Sequence, residues 1–439
     1  MQTYLSYTGD LAEATPETRN RIVDFWRIAA IGVVVIGHWL AASIWMKSNG
    51  EIELLNALQW VPYAAWVTWL VQVMPVFFLA GGYANAKGMR RVIAGEQLRR
   101  DWITRRTRRL WTPVTPLLIV WVLLIIALRP FIAPEVIFAG AMAATVPLWF
   151  LAVYIILTAV APLTHKWWRR SGLASVAGMV AMAVGLDVAR FAFDVPGIAW
   201  INFLFVWGAV HQIGYWWAER DDEGGIPSSV GWALSGAALA LLILLTSIGW
   251  YPVAMVGIPG AAETNMAPPT TAIFLLGLVQ AGVIWGTAAR VKRFLTRARP
   301  WHIVVSFSGV VMTIYLWHLS AMALTAAIGL NIFDGAIFSL EPGTTAWWLS
   351  RPAWIAFLLL VTTGLVMLFA RYEWRVSDAP SPRSRSWVLL GIILTAGSAG
   401  AVAGWGISSP DAVIHWSIPG AALVGAAVLG ALPRRRKKH

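Results

Sequence analysis

Arg27 and His38 stand eleven residues apart in the run R-I-A-A-I-G-V-V-V-I-G-H. Eleven residues at about 100° each return a helix to nearly the same face, about 16 Å further along its axis. The guanidinium is expected at the membrane surface and the imidazole near mid-depth, on one line. An imidazole inside an apolar helix is costly and is a functional candidate by default. As a neutral ring it could accept a proton or carry a covalent intermediate. The pair suits a ligand with a charged head and a reactive end. Asp24 lies three residues before Arg27 and can pair with it as a structural partner. It cannot orient His38, because about 21 Å of helix separates them. Whatever orients the imidazole must come from another helix. The plainer alternative is a snorkelling Arg27 paired with Asp24, and a His38 satisfied by a neighbouring helix.

Other stretches could also carry chemistry. T-I-Y-L-W-H-L (313–319) places a second imidazole, His318, inside an apolar segment, with His211 and His415 as weaker candidates. Residues 87–109 hold nine bases against Glu96 and Asp101. This could be an ordinary positive cytoplasmic loop. Alternatively Arg105, Arg106 and Arg109, just before Pro113, could bind phosphate through their guanidinium forks. In M-P-V-F-F-L-A-G-G-Y (74–83), Gly81-Gly82 allows close approach of a helix or a ligand, with helix packing favoured. P-L-W-F-L (147–151) starts a helix, and Glu373 in R-Y-E-W-R (371–375) reads as an ordinary surface pair. No H-E-x-x-H or H-x-x-x-H motif argues for a metal, and no glycine-rich nucleotide loop follows a strand. The chain has no cysteine, which removes disulfides, thiolate metal sites and a cysteine nucleophile.

The elements that must position these residues are membrane helices. Hydrophobic residues make up 58% of the 439, charged residues 13%, and mean hydropathy is +0.66. The long unbroken apolar runs exclude an alternating β-barrel. The expected fold is all-α, a polytopic transmembrane bundle of about 10–12 helices. Twelve candidate spans run 22–46, 58–85, 110–129, 146–165, 172–193, 197–217, 229–249, 270–289, 303–328, 347–370, 386–406 and 412–432. A net charge of +13 would suggest nucleic acid in a soluble protein, but here the bases lie between apolar segments. They fall in alternate loops, around 87–109, 166–170, 290–299, 371–385 and the tail 434–438. That places both termini in the cytoplasm. The acidic loop at 219–223 is the exception. The Pro/Gly-bearing stretches 250–269 and 329–346 could cap a cavity.

Taken in order, these pieces resemble acyltransferase family 3. The matching residues are V-D-F-W-R-I-A-A-I-G-V-V-V-I-G-H (23–38), M-P-V-F-F-L-A-G-G (74–82), R-R-T-R-R-L-W-T-P (105–113), W-F-L (149–151), N-F-L-F-V-W-G (202–208) and Y-L-W-H (315–318). Ala80 stands where the family commonly has Ser. The resemblance implies a cytoplasmic tail (1–21), a membrane acyltransferase region (22–375), and a C-terminal helix pair with a basic tail (376–439). It implies transfer of an acyl group, acetyl in the first instance, from cytoplasmic acyl-coenzyme A. The acceptor would be a hydroxyl of a cell-envelope carbohydrate, a lipid or a related small molecule. His38 would be the catalytic base or acyl carrier. Arg27, Arg106 and Arg109 would bind the donor, and His318 would bind acceptor or stabilise an oxyanion. No permanently bound cofactor and no nucleic-acid partner are expected. The lipid bilayer is the expected environment and the bacterial plasma membrane the expected location. The alternative is a twelve-helix secondary transporter using intramembrane His and Arg for substrate or protons.

Overall fold

The computed structural model describes residues 8–432 apart from 11, 17, 18, 62, 375, 377, 378, 381 and 382. Arg375 and the basic tail 434–438 therefore lie outside the described residues. The helices are α1 (Arg21–Ala41), α2 (Ala64–Val71), α3 (Met74–Ile93), α4 (Arg99–Trp111), α5 (Val114–Leu128) and α6 (Pro134–Thr145). They continue with α7 (Leu148–Ser171), α8 (Leu173–Phe191), α9 (Asn202–Asp222), α10 (Ser228–Ser247), α11 (Thr271–Gly286) and α12 (Ala288–Leu295). The last are α13 (Ala298–Ser308), α14 (Val311–Ile332), α15 (Thr345–Trp374), α16 (Arg385–Trp405) and α17 (Ser417–Leu429). The protein is an all-α membrane protein. Among the described residues, nine helical segments are long and apolar enough to cross a bilayer. The pair α11–α12, bent by 55°, makes ten if it is one span. Of the other expected spans, α9 fails the test of apolarity, and α17 has only 13 residues.

Two expectations about boundaries change. The first span, expected to reach residue 46, ends at Ala41. The next residues, A-S-I-W-M, form β1 (Ala42–Met46), paired antiparallel with β2 (Ile52–Asn56) in the register Ala42↔Asn56 to Met46↔Ile52. Apolar β-branched and aromatic residues fit either a helix or a short strand, so periodicity alone does not decide here. The expected span 303–328 is likewise two helices, α13 and α14, interrupted around Gly309.

The chain divides into two compact units. The first contains residues 1–37, 58–90 and 160–309. Small residues let its helices meet closely. A Cβ on Gly82 of α3 would fall onto the His211 carbonyl of α9. One on Gly214 of α9 would lie 2.6 Å from the Tyr83 nitrogen. Helix packing, not a ligand, therefore accounts for Gly82. Gly231 and Gly282 serve α10 and α11 in the same way, with a Cβ on either only 2.5 Å from backbone of the other helix. The acidic exception at 219–223 also has a cause. Asp221 accepts from the Tyr83 hydroxyl at 2.5 Å, Lys87 reaches Asp222 at 2.5 Å, and Arg90 pairs with Asp222. These acids neutralise the end of α3. The stretch 250–269 is fastened to the helices by the fully buried Asp187, which accepts from the Tyr251 hydroxyl at 2.8 Å, the Thr271 N–H at 2.8 Å and Asn202 at 2.9 Å. Burial, and then the neighbouring Asp187, hold the Tyr251 phenol above its ordinary range.

The second unit contains 38–57, 91–159 and 310–439. Here the hairpin meets the turn at residue 335: a Cβ on Gly335 would strike the Met46 side chain. The positive φ of +70° at Gly335 independently favours glycine. Arg108 of α4 is buried and donates to the carbonyls of Leu429 and, at 2.6 Å, Ala379. It secures the end of α17, where carbonyls lack helical partners. Glu373 has a role beyond the expected surface pair. Its carboxylate accepts from the Met312 and Thr313 N–H groups at 3.1 and 2.9 Å, and from the Thr313 hydroxyl at 2.7 Å. It caps the N-terminus of α14, where unpaired N–H groups and the helix dipole favour a negative charge.

Candidate active site

His38 is in the last turn of α1, and the helix that meets it is α14. His38 Nδ1 lies 3.0 Å from His318 Nε2. The rings are nearly parallel, at 16°, with centroids 5.2 Å apart. His318 is fully buried and His38 half-buried. The other nitrogen of His318, Nδ1, is 2.7 Å from the Tyr315 carbonyl one turn back. A carbonyl can only accept, so a neutral His318 carries its hydrogen on Nδ1 and leaves Nε2 as an acceptor. His38 must then donate through Nδ1–H. A neutral His38 so placed keeps its lone pair on Nε2. The arrangement selects one tautomer and presents one basic nitrogen.

The neighbours hold this relay still. The fully buried Trp39 indole donates to the His318 carbonyl at 3.0 Å. The Trp354 indole of α15 donates to the Trp39 carbonyl at 3.1 Å. On the far side, the Tyr315 hydroxyl donates to the Pro147 carbonyl at 3.0 Å, and its ring meets Phe150 edge-on at 5.8 Å. Thus the P-L-W-F-L and T-I-Y-L-W-H-L stretches, far apart in sequence, meet beside His38. Glu373 anchors the start of the same helix, α14.

The other predicted residues are distributed differently. Arg27 lies on α1 with Asp24, at 3.5 Å, although Arg19 makes the shorter bond to that carboxylate at 2.7 Å. Arg106 is half-buried with its guanidinium over Trp102 at 5.6 Å, and Arg109 is exposed. The buried base of that helix is Arg108, a structural residue. His211 belongs to the first unit, with its Nε2 3.0 Å from the Asn85 amide. Sequence reasoning missed Tyr315, Trp39, Trp354 and the Pro147 carbonyl. Tyr315 left a signal, since it stands three residues before His318 and so on its face. No group of three or more metal-ligating side chains occurs among the described residues.

Residues 20–371 match the family model described as an acyltransferase domain, that of acyltransferase family 3. The chain belongs to this family. It is a membrane acyltransferase. No curated protein and no solved structure matches the chain. The family match contains Arg27, His38, Arg106, Arg109, Pro147, Tyr315 and His318, whereas α16 and α17 lie beyond it.

Proposed function

We propose that this acyltransferase moves an acyl group, acetyl in the first instance, from cytoplasmic acyl-coenzyme A to a hydroxyl of a cell-envelope carbohydrate, lipid or related acceptor. The observation that supports it is the relay His38–His318–Tyr315 carbonyl, which leaves His38 Nε2 as a base. In the proposed step Nε2 takes the proton of the acceptor hydroxyl as its oxygen attacks the thioester carbonyl. The carbon–sulfur bond breaks, and the thiolate leaves and recovers the proton from the imidazolium. His318 accepts from Nδ1–H throughout, so it steadies the positive charge while it forms. The same lone pair would serve a transient acyl-histidine. A positioned base of this kind is worth about 10²–10⁴ in rate.

Arg27 lies eleven residues earlier on the same helix, about 16 Å away, a span that suits the pantetheine arm of the donor. Arg27 is proposed to meet the donor's charged end, and Arg106 and Arg109 are proposed as donor residues because their forks match phosphate. Transfer from radiolabelled acetyl-coenzyme A, measured in membranes, tests the donor assignment. Arg27→Ala is expected to raise the KM for the donor. Equal KM in wild type and variant would remove Arg27 from the donor site. Mass analysis of envelope glycans and lipids in a deletion strain would identify the acceptor.

A further inference from the structure

The second unit holds a cavity of about 450 Å³ whose walls are the β-hairpin, α5, α6, α14 and the start of α15. Its lining is mainly apolar, with residues such as Leu54, Leu128, Ala327 and Leu330. Ligand sites generally run to about 300–1,000 Å³, so this space far exceeds what a two-carbon acyl group fills. The cavity adjoins the histidine pair. Met322 in its wall follows His318 by one turn of α14, and Ala42 follows His38 by four residues. Trp354, also in the wall, holds the carbonyl of Trp39.

The charged lining residues are Arg351 and Glu135. Glu135 is exposed, in the first turn of α6. Arg351 lies inside the apolar helix α15, with its guanidinium 4.1 Å from the Trp347 ring centroid and 5.6 Å from that of Trp354. It donates to the Trp347 carbonyl at 3.3 Å and the Ser350 hydroxyl at 3.1 Å. Among the described residues no carboxylate pairs with it. A guanidinium offers five N–H donors, and an unpaired cation within a spanning helix is costly unless it has a functional partner.

We propose that this cavity is the acceptor subsite and takes an amphiphile. One aliphatic chain lies among the apolar walls, and an anionic head, phosphate or carboxylate, sits on Arg351. The head on Arg351 lies one turn of α15 before Trp354, which holds the carbonyl of the residue next to His38, so a hydroxyl attached to the head is the group acylated. This rests on the acyltransferase reading and narrows its acceptor to a lipid-like hydroxyl compound.

The test is equilibrium binding of radiolabelled hexadecyl phosphate to the purified full-length protein in nanodiscs, with no acyl donor present. The charge-assisted contact predicts that hexadecyl phosphate binds about tenfold or more tighter than hexadecanol. Inorganic phosphate should not compete, because it lacks the chain. Arg351→Gln should remove that preference and leave hexadecanol binding as it was, while Ala327→Trp should weaken both. Equal binding of hexadecanol and hexadecyl phosphate to wild type would mean that the cavity merely holds bulk bilayer lipid, and would overturn the proposal. So would competition by inorganic phosphate alone. If Arg351→Gln loses both ligands, Arg351→Lys decides: a retained preference for phosphate supports the proposal, and a lost one overturns it. Because binding is read without donor, its failure leaves the transferase reading standing, and a failure of transfer leaves the binding result standing.

Discussion

Replacing His318 with Phe keeps a ring in a fully buried position and removes the acceptor that His38 Nδ1–H now finds at 3.0 Å. Two things follow from that geometry. The tautomer of His38 is no longer selected, so Nε2 is a lone-pair nitrogen for only part of the time. The imidazolium formed during transfer also loses its hydrogen-bond partner. A hydrogen bond to a charged group is worth about 1.5–3 kcal/mol, which is about ten- to a hundredfold in rate. The loss should fall on kcat, because His318 has no proposed contact with the donor. The assay is transfer from radiolabelled acetyl-coenzyme A by purified protein, with rates normalised to folded, monodisperse material. The deficit should be smaller than that of His38→Ala, with an unchanged KM for the donor. Activity within about threefold of wild type would refute the relay, since the contact would then contribute less than about 0.7 kcal/mol. A deficit as deep as that of His38→Ala would make His318 itself a base and would refute its role as a positioning residue.

Four other substitutions probe individual contacts and a proposed donor residue. Gly82→Ala drives a methyl onto the His211 carbonyl and should destabilise by about 1–3 kcal/mol or more, seen as a lower melting temperature in detergent. Glu373→Gln removes the negative charge from the start of α14 and should cost about 1 kcal/mol. It should lower melting temperature more than kcat. Arg108→Ala frees the carbonyls of Leu429 and Ala379 and should destabilise by about 1.5–3 kcal/mol with the donor KM unchanged. Arg109→Ala, at an exposed position, should show the reverse pattern.

The line from Arg27 to His38 was legible because helical periodicity is local, and so was the Asp24–Arg27 pair. The close approach at Gly82 could be read because only glycine permits one there. What orients His38 could not be read. Helix rise excluded Asp24, but the partner is 280 residues away, and only tertiary packing decides which helix faces which. The hairpin after α1 was hidden for another reason, since A-S-I-W-M is apolar enough to extend a span and too short to show alternation. The capping roles of Glu373 and Arg108 were hidden because charge in a loop looks the same whether it faces water or caps a buried helix end. In both cases the backbone groups they satisfy belong to distant segments.

If His38 Nε2 performs the chemistry, single-turnover acyl transfer by purified His38→Ala protein, saturated with radiolabelled acetyl-coenzyme A, should show unimpaired donor binding and a transfer rate lower by about 10²–10⁴. A correctly inserted His38→Ala protein that transfers at the wild-type rate would contradict that role.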